Sequence, residues 1–162
     1  MKQIDTLEGF PIFFCEEQGE IARSTGFFWG KRVVLGPLWS RLPEPERRAV
    51  VLHEIAHCLG FHRELRVVLG FIALLPILVL FPMELLIPIF ISMCLWEFAT
   101  FIARRHELEA DRFAAQRGMG AALVTFLHRA IAVSTPSDFY PSNGERIKAL
   151  SEWLEEAPCS ND

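Results

Sequence analysis

Two histidines and a glutamate at helical spacing are the residues of this chain best suited to chemistry. His53, Glu54 and His57 belong to the sequence His-Glu-Ile-Ala-His, inside an apolar run from residue 49 to residue 59. Residues four apart share one face of a helix, so His53 and His57 can present two imidazoles to one metal ion. Glu54 can then accept a proton from a water bound to that metal. The pattern is typical of zinc hydrolases; a core helix with hydrogen-bonded histidines is the structural alternative.

A catalytic zinc site needs a third protein ligand besides two histidines. The candidates are acidic or imidazole side chains close to the motif or beyond the apolar segment that follows it: His62, His106, Glu107, Glu109 and Asp111. Glu107 and Asp111 are four residues apart and share a helix face, from which Glu109 points away. In the elongated pattern His-Glu-x-x-His-x-x-Gly-x-x-His, Gly60 would take the glycine position, but the third histidine would be residue 63, an arginine. His62 is therefore expected to be a solvated or interfacial histidine.

The composition describes one apolar domain without a surface for nucleic acid. The chain has 162 residues, enough for a single domain with its own core, and 51% of them are hydrophobic. Its net charge is −4, and no basic face is present on which phosphates could bind. The four cysteines are scattered without a Cys-x-x-Cys pair, which indicates a reducing compartment. The first ten residues mix charged and apolar side chains, so no secretory signal is expected there.

The elements that must position the motif are a small N-terminal sheet and several helices. Residues 10–15 and 27–35 are rich in aromatic and branched side chains and predict strands. The second run is interrupted at Gly30 and Lys31, so it predicts either a hairpin or two edge strands. Prolines and glutamates suit the first turn of a helix, so the helix that carries the two histidines is predicted from about residue 44. It is predicted to reach residue 57 or to extend through Gly60 towards residue 66. Little chain separates strands from helix, so a strand edge should lie near the metal, either open to an extended peptide or covered by a loop.

The second half of the chain predicts three further helices. Residues 105–118 and 121–133 have helical composition, and a proline-containing loop over residues 134–141 follows them. Ser142 and Glu145 have the spacing of a capping box, which predicts a last helix from there to about residue 156. The tail from residue 158 is expected to be frayed.

Residues 67–103 are the most apolar segment, with Glu84 and Glu97 as its only charges. The segment is too long for one bilayer crossing of roughly 20 residues. Pro82 and Glu84 divide it into two legs, so we predict a helical hairpin inserted in a membrane, as a full crossing or a re-entrant loop. Arginines flank both ends, which predicts that both ends are cytoplasmic. A soluble hairpin that covers the active site or an oligomer interface is the alternative.

The chain resembles the M48 family of membrane metallopeptidases. The resemblance is carried by His-Glu-x-x-His, an apolar segment and then Glu-Leu-Glu-Ala-Asp from Glu107 to Asp111, within a match of residues 26–150. It implies a mainly helical α+β fold of the gluzincin type: a small N-terminal sheet, the His-Glu-x-x-His helix and a Glu-x-x-x-Asp helix. This fold would be one domain of residues 1–162 with the hairpin inserted at residues 67–103. The resemblance further implies one Zn²⁺ per chain, held by His53, His57 and Glu107, with Glu54 as general base and Asp111 steadying a ligand histidine.

Two details refine this resemblance. Residues 28–35, Phe-Trp-Gly-Lys-Arg-Val-Val-Leu, are similar to the M56 peptidases, which share the ligand plan but differ in biology. Many M48 members carry His-Pro before a final Arg-Ile helix, whereas here Tyr140 precedes Pro141, and Arg146 and Ile147 follow. Tyr140 could donate its O–H to the developing oxyanion in place of the histidine, or it could pack as a loop residue on the last helix.

Together these features predict a zinc-dependent endopeptidase that is integral to a membrane, with its catalytic face towards the cytoplasm. Its substrates would be polypeptides, with membrane proteins among the candidates, and membrane lipid would surround the hairpin. The oligomeric state stays unknown. The rival hypothesis is a non-catalytic zinc-containing membrane regulator, or a signalling component like the M56 proteins. Glu54 argues against that rival, because a closed structural zinc site has no use for a base.

Overall fold

The computed structural model describes residues 1–27, 29–80, 86–131 and 140–156, in which a small N-terminal sheet is followed by helices. The strands are β1 (Lys2–Leu7), β2 (Phe10–Phe14), β3 (Ala22–Phe27) and β4 (Trp29–Leu35). The α-helices are α1 (Glu44–Leu59), α2 (His62–Leu80), α3 (Leu86–Ala114), α4 (Gly120–Ile131) and α5 (Asn143–Glu156). A 3-10 turn at Pro37–Arg41 precedes α1. The predicted class, mainly helical α+β, is confirmed.

The sheet is mixed, with strand order β1-β2-β4-β3. β1 pairs antiparallel with β2, β2 pairs parallel with β4, and β4 pairs antiparallel with β3, so β1 and β3 are the edge strands. The strand predicted at residues 10–15 is confirmed as β2. The break predicted at Gly30 and Lys31 is wrong, because β4 continues through both residues and Gly30 adopts a positive φ of 68° within the strand. Both edge strands are too polar for their sequences to have predicted them.

Helix α1 lies between two apolar clusters and uses a different face for each. Val51 and Ile55 pack with strand residues of β2 and β4, such as Val33. Ala49 and Leu52 pack with residues of the later helices: Ala114, Ala115, Leu123, Leu127 and Leu150. Two faces of α1 are thus buried against different layers, which leaves a third face, that of the two histidines, to meet another element.

The first turn after α1 reverses the chain sharply. Helix α1 ends at Leu59, and Phe61 has a positive φ of 53° before α2 begins at His62. The predicted extension of the helix towards residue 66 is therefore replaced by a turn and a new helix. A residue with a β-carbon rarely adopts this backbone conformation unless the surrounding structure holds it there.

Helices α2 and α3 pack against each other and expose many large apolar side chains, among them Phe71, Phe90 and Phe101. Helix α3 joins the second apolar leg and the helix of Glu107, predicted as separate elements, in one element of 29 residues. By length and composition alone, one helical stretch of the described residues, Ile87–Ala130, could cross a membrane. This stretch comprises most of α3, a kinked π-helical turn at Ala115–Met119, and most of α4. The predicted tip of the hairpin, with Pro82 and Glu84, lies outside the described residues, as do the tail and most of the loop before Tyr140.

The last helix begins at the predicted capping box. The Ser142 N–H donates to Glu145 Oε2 over 2.7 Å, and the Glu145 N–H donates to Ser142 Oγ over 3.2 Å. These reciprocal bonds satisfy two N–H groups that a helix start would otherwise leave unpaired. The hydrogen bonds that the Ser142 N–H and hydroxyl donate to the Glu145 carboxylate lower its pKa, and Arg104 contacts the same carboxylate. The capping box therefore stabilises the N-terminal end of α5, which carries Arg146.

Candidate metal site

Close packing of α1 on α3 brings the histidines to the acidic residues of α3. Ala110 and Ala114 are completely buried on α3, and their small side chains let the two helices approach closely. His53 and His57 of α1 and Glu107 of α3 are each less than a tenth exposed. The two helical motifs that were separated by the apolar segment thus meet in one buried cluster.

The candidate ligand atoms have distances close to those of a tetrahedral site. The His53 Nε2 and His57 Nε2 atoms are 3.1 Å apart; His53 Nε2 lies 3.4 Å from Glu107 Oε2, and His57 Nε2 lies 3.4 Å from Glu107 Oε1. Zinc bonds of 2.0–2.1 Å in tetrahedral geometry place neighbouring ligands about 3.3 Å apart. Two imidazoles and one carboxylate are also the donor set of several catalytic zinc sites, in which the fourth position is open. The residues present therefore fit a zinc ion.

Asp111 contacts the first candidate ligand and is itself held by an arginine. Its Oδ1 atom lies 2.8 Å from His53 Nδ1, so the ring can donate there and direct the lone pair of Nε2 at the site. Arg146 of α5 binds both carboxylate oxygens, from Nε over 2.7 Å and from Nη2 over 2.5 Å. Asp111 is only 1% exposed, and such a buried carboxylate needs this bidentate partner.

The electrostatics of the cluster follow from these contacts. Burial alone would lower the pKa of His53, but hydrogen bonds to Asp111 and Glu107 raise it to about 9. Burial acts to raise the pKa of the Glu107 carboxyl, yet the two histidines overcome it and hold that pKa well below its usual range. The pKa of Asp111 is likewise lowered, with Arg146 and His53 overcoming the effect of burial. Both carboxylates are therefore ionised, as metal ligation and ligand orientation require.

The second candidate ligand has a partner that was not expected. His57 Nδ1 lies 2.8 Å from Nδ1 of His62, and His62 is 5% exposed. The prediction of a solvated or interfacial His62 is therefore wrong, because the turn after α1 folds this ring inwards. Burial, together with the charges of His106, His57 and Arg66, lowers the pKa of His62 to about 3, so its ring is neutral. Sequence spacing alone could not reveal this contact.

Glu54 is held by the edge of the sheet. The backbone N–H of Ser24 in β3 donates to Glu54 Oε2 over 2.6 Å. One carboxylate oxygen is thus bound to the edge strand. The expectation that a strand edge lies near the histidine helix is confirmed, since β3 is an edge strand and packs on α1.

Tyr140 lies at the start of the described C-terminal segment and is 42% exposed. Its hydroxyl oxygen accepts a hydrogen bond of 2.7 Å from Arg66 Nη1, and its carbonyl accepts one of 3.3 Å from Arg104. Because the phenol oxygen acts as an acceptor towards Arg66, its own hydrogen can be directed elsewhere. Among the described contacts, none joins Tyr140 directly to His53, His57 or Glu107.

Comparison with known proteins gives one family match. The family model described as Peptidase family M48 matches residues 21–154, which is most of the chain. Neither the curated proteins nor the solved structures give a significant match.

Proposed function

The chain belongs to peptidase family M48, and from that premise we propose that it is a zinc-dependent, membrane-associated endopeptidase. The observation that carries the proposal is the buried set of His53, His57 and Glu107: the two Nε2 atoms are 3.1 Å apart, and each lies 3.4 Å from one oxygen of the Glu107 carboxylate. These three residues would hold one Zn²⁺ per chain. When bound, zinc would polarise the scissile carbonyl and lower the pKa of a water molecule.

Glu54 would carry out the proton transfers of the reaction. Its carboxylate would accept the proton of the attacking water and pass it to the leaving amine. The hydrogen bond from the Ser24 N–H supports this role, because it restrains one oxygen and leaves the other to accept the proton. Asp111 would keep His53 in the tautomer that presents Nε2, with Arg146 holding the Asp111 carboxylate in place.

We propose that the substrate is a polypeptide lying along the edge strand β3. An extended peptide can add a strand at the edge of a sheet; β3 is an edge strand, and it contributes the amide that holds Glu54. A peptide paired with this edge would therefore lie beside the candidate base. Membrane proteins and their cytosolic tails are candidate substrates.

Chelation of the metal tests the proposal directly. The purified full chain in detergent should contain one equivalent of zinc and hydrolyse an unstructured protein such as casein. A strong chelator should stop the hydrolysis, and added Zn²⁺ should restore it, since the water is activated at the metal. Zinc bound without any hydrolysis would favour the rival, a non-catalytic zinc-containing membrane regulator.

Membrane insertion of residues 67–103 is the second part of the proposal. The hairpin would be inserted in a single domain of residues 1–162, with both ends and the catalytic face cytoplasmic. The exposed apolar side chains of α2 and α3 support it, because water would meet a large patch that includes Phe71, Phe90 and Phe101. The arginines at both ends of the segment support the orientation.

We expect the protein to stay with the membrane fraction after an alkaline carbonate wash and to need detergent for extraction. Cysteines placed singly at Glu84 and at Arg104 should be labelled from opposite sides if the hairpin crosses fully. Labelling of both from the cytoplasmic side would leave only a re-entrant hairpin. Recovery in the soluble fraction without detergent would contradict both forms.

We expect Asp111→Asn to lower zinc affinity by roughly 10- to 100-fold, as changes to residues that orient metal ligands do. The variant keeps the shape of the side chain but leaves the charge of Arg146 without its buried partner. Competition with a chromophoric chelator measures the affinity. Glu109→Gln on the exposed side of the same helix is the matched control and should bind zinc as the wild type does. Equal affinities of all three proteins would leave Asp111 without a role at the metal.

Tyr140→Phe should lower the turnover number on the order of 100-fold, since a donor to the oxyanion typically contributes about 2.7–4 kcal/mol in the transition state. The hydrogen bond from Arg66 supports this proposal because it restrains the phenol while leaving its hydrogen to donate. Zinc content and the melting temperature should change little. Cleavage by the variant at the wild-type rate would reduce Tyr140 to a packing residue.

A further inference from the structure

The hydrogen bond between His57 and His62 joins a candidate metal ligand to a residue with no assigned role. The two Nδ1 atoms are 2.8 Å apart, and both rings are 5% exposed. We propose that His62 is a positioning residue that accepts the Nδ1–H of His57 and so holds its Nε2 lone pair on the metal. The inference rests on the zinc site of the proposed function. It would make His62 the counterpart of Asp111, which serves the other histidine.

The positions of the protons decide which way this bond runs. A His57 ring that binds metal through Nε2 keeps its proton on Nδ1, so Nδ1 of His62 must be the acceptor. A neutral His62 that accepts at Nδ1 carries its own proton on Nε2. That Nε2 atom lies 3.9 Å from Glu109 Oε2, a carboxylate towards which the N–H can point.

The same reasoning excludes a second metal site, although His62, His106 and Glu109 are close enough to suggest one. His62 has no free lone pair once one nitrogen accepts a hydrogen bond and the other carries the proton. The His62 and His106 rings are also stacked, with centroids 3.9 Å apart and planes within 5°. Lone pairs in two parallel planes at that separation cannot both meet one ion at about 2.0–2.1 Å.

The turn between α1 and α2 is built to place His62 against His57. Phe61 has a positive φ, which turns the chain back so that the first residue of α2 faces the last turns of α1. A Cβ added at Gly60 would overlap the His62 ring, so the ring occupies space that only glycine leaves open. His106 of α3 stacks on one face of the ring. Three elements therefore hold His62 in place.

The test compares two replacements of His62 for zinc affinity, measured by competition with a chromophoric chelator on the full chain in detergent. His62→Phe keeps a ring to stack on His106 but removes the acceptor, and should weaken zinc binding by roughly 10- to 100-fold. His62→Gln offers a carbonyl oxygen as acceptor and should recover most of that loss. The melting temperature of the metal-free protein controls for folding, because a purely structural residue would lower it in both variants without separating their affinities.

Two further variants test whether the position of the His62 ring controls zinc affinity. Gly60→Ala should reproduce the loss of affinity, because its methyl group displaces the His62 ring. His106→Phe preserves the stacked ring and should bind zinc as the wild type does. Wild-type affinity in His62→Phe, or equal losses in the Phe and Gln variants, would overturn the role of His62. Two tightly bound zinc equivalents in the wild type would also overturn it, whereas no bound zinc at all would reject the proposed site itself.

Discussion

Glu107→Ala will abolish zinc binding by the purified protein. Glu107 offers two carboxylate oxygens, of which Oε2 lies 3.4 Å from His53 Nε2 and Oε1 lies 3.4 Å from His57 Nε2. Without them the site keeps two imidazoles, fewer than the three protein ligands of a catalytic zinc site. Elemental analysis after dialysis against metal-free buffer measures the result. His53→Ala and His57→Ala should behave in the same way, since each also removes one ligand.

Two controls belong to the same experiment. Glu109→Gln removes a carboxylate from the same helix but keeps an oxygen that can accept from His62, and His106→Phe removes an imidazole next to Glu107 but keeps the stacked ring; both should retain zinc. The metal-free Glu107→Ala protein should keep its helical content, because the carboxylate lies in a polar cluster rather than in either apolar core cluster. Full zinc occupancy in the Glu107→Ala protein would exclude this residue as a ligand.

Glu54→Gln should retain zinc and lose turnover by roughly 10²- to 10⁴-fold, the usual contribution of general acid–base catalysis. Glutamine keeps the size of the side chain and can still accept the Ser24 N–H through its carbonyl oxygen. Its amide cannot take a proton from the attacking water. The predicted effect is therefore chemical rather than structural.

Zinc content and casein hydrolysis, measured in parallel, test whether Glu54 is the general base. Ser24→Ala is the matched control, because it changes the side chain beside Glu54 while keeping the backbone N–H that binds the carboxylate. This control should cleave at close to the wild-type rate. Hydrolysis by Glu54→Gln at the rate of the wild type would exclude Glu54 as the base.

Patterns between residues three or four apart in the sequence predicted much of this architecture. Helical periodicity put His53 and His57 on one face and Glu107 and Asp111 on another, and the structure brings these faces together. The capping box at Ser142 was predictable for the same reason, since it depends on residues three apart. Periodicity could not show that α3 runs unbroken from the apolar leg to Glu107, because both segments predict helix and nothing marks their junction.

The polar strands escaped prediction because an edge strand has no apolar pattern to reveal it. β1 and β3 owe their conformation to pairing with β2 and β4 rather than to their own side chains. Only that pairing brings the Ser24 amide to Glu54, thirty residues away in the chain.

What the sequence by itself determined is which side chains could do chemistry and how they repeat along a helix. Only the tertiary structure decided which groups contact them: Arg146 contacts Asp111, and His62 contacts His57. The physical reason is the separation along the chain of the residues that interact. A helix sets the relation between residues four apart, whereas the Arg146 contact spans thirty-five residues and needs α3 and α5 to pack. His62 is only five residues from His57, yet the orientation of its ring depends on the positive φ of Phe61 and on the stacked ring of His106.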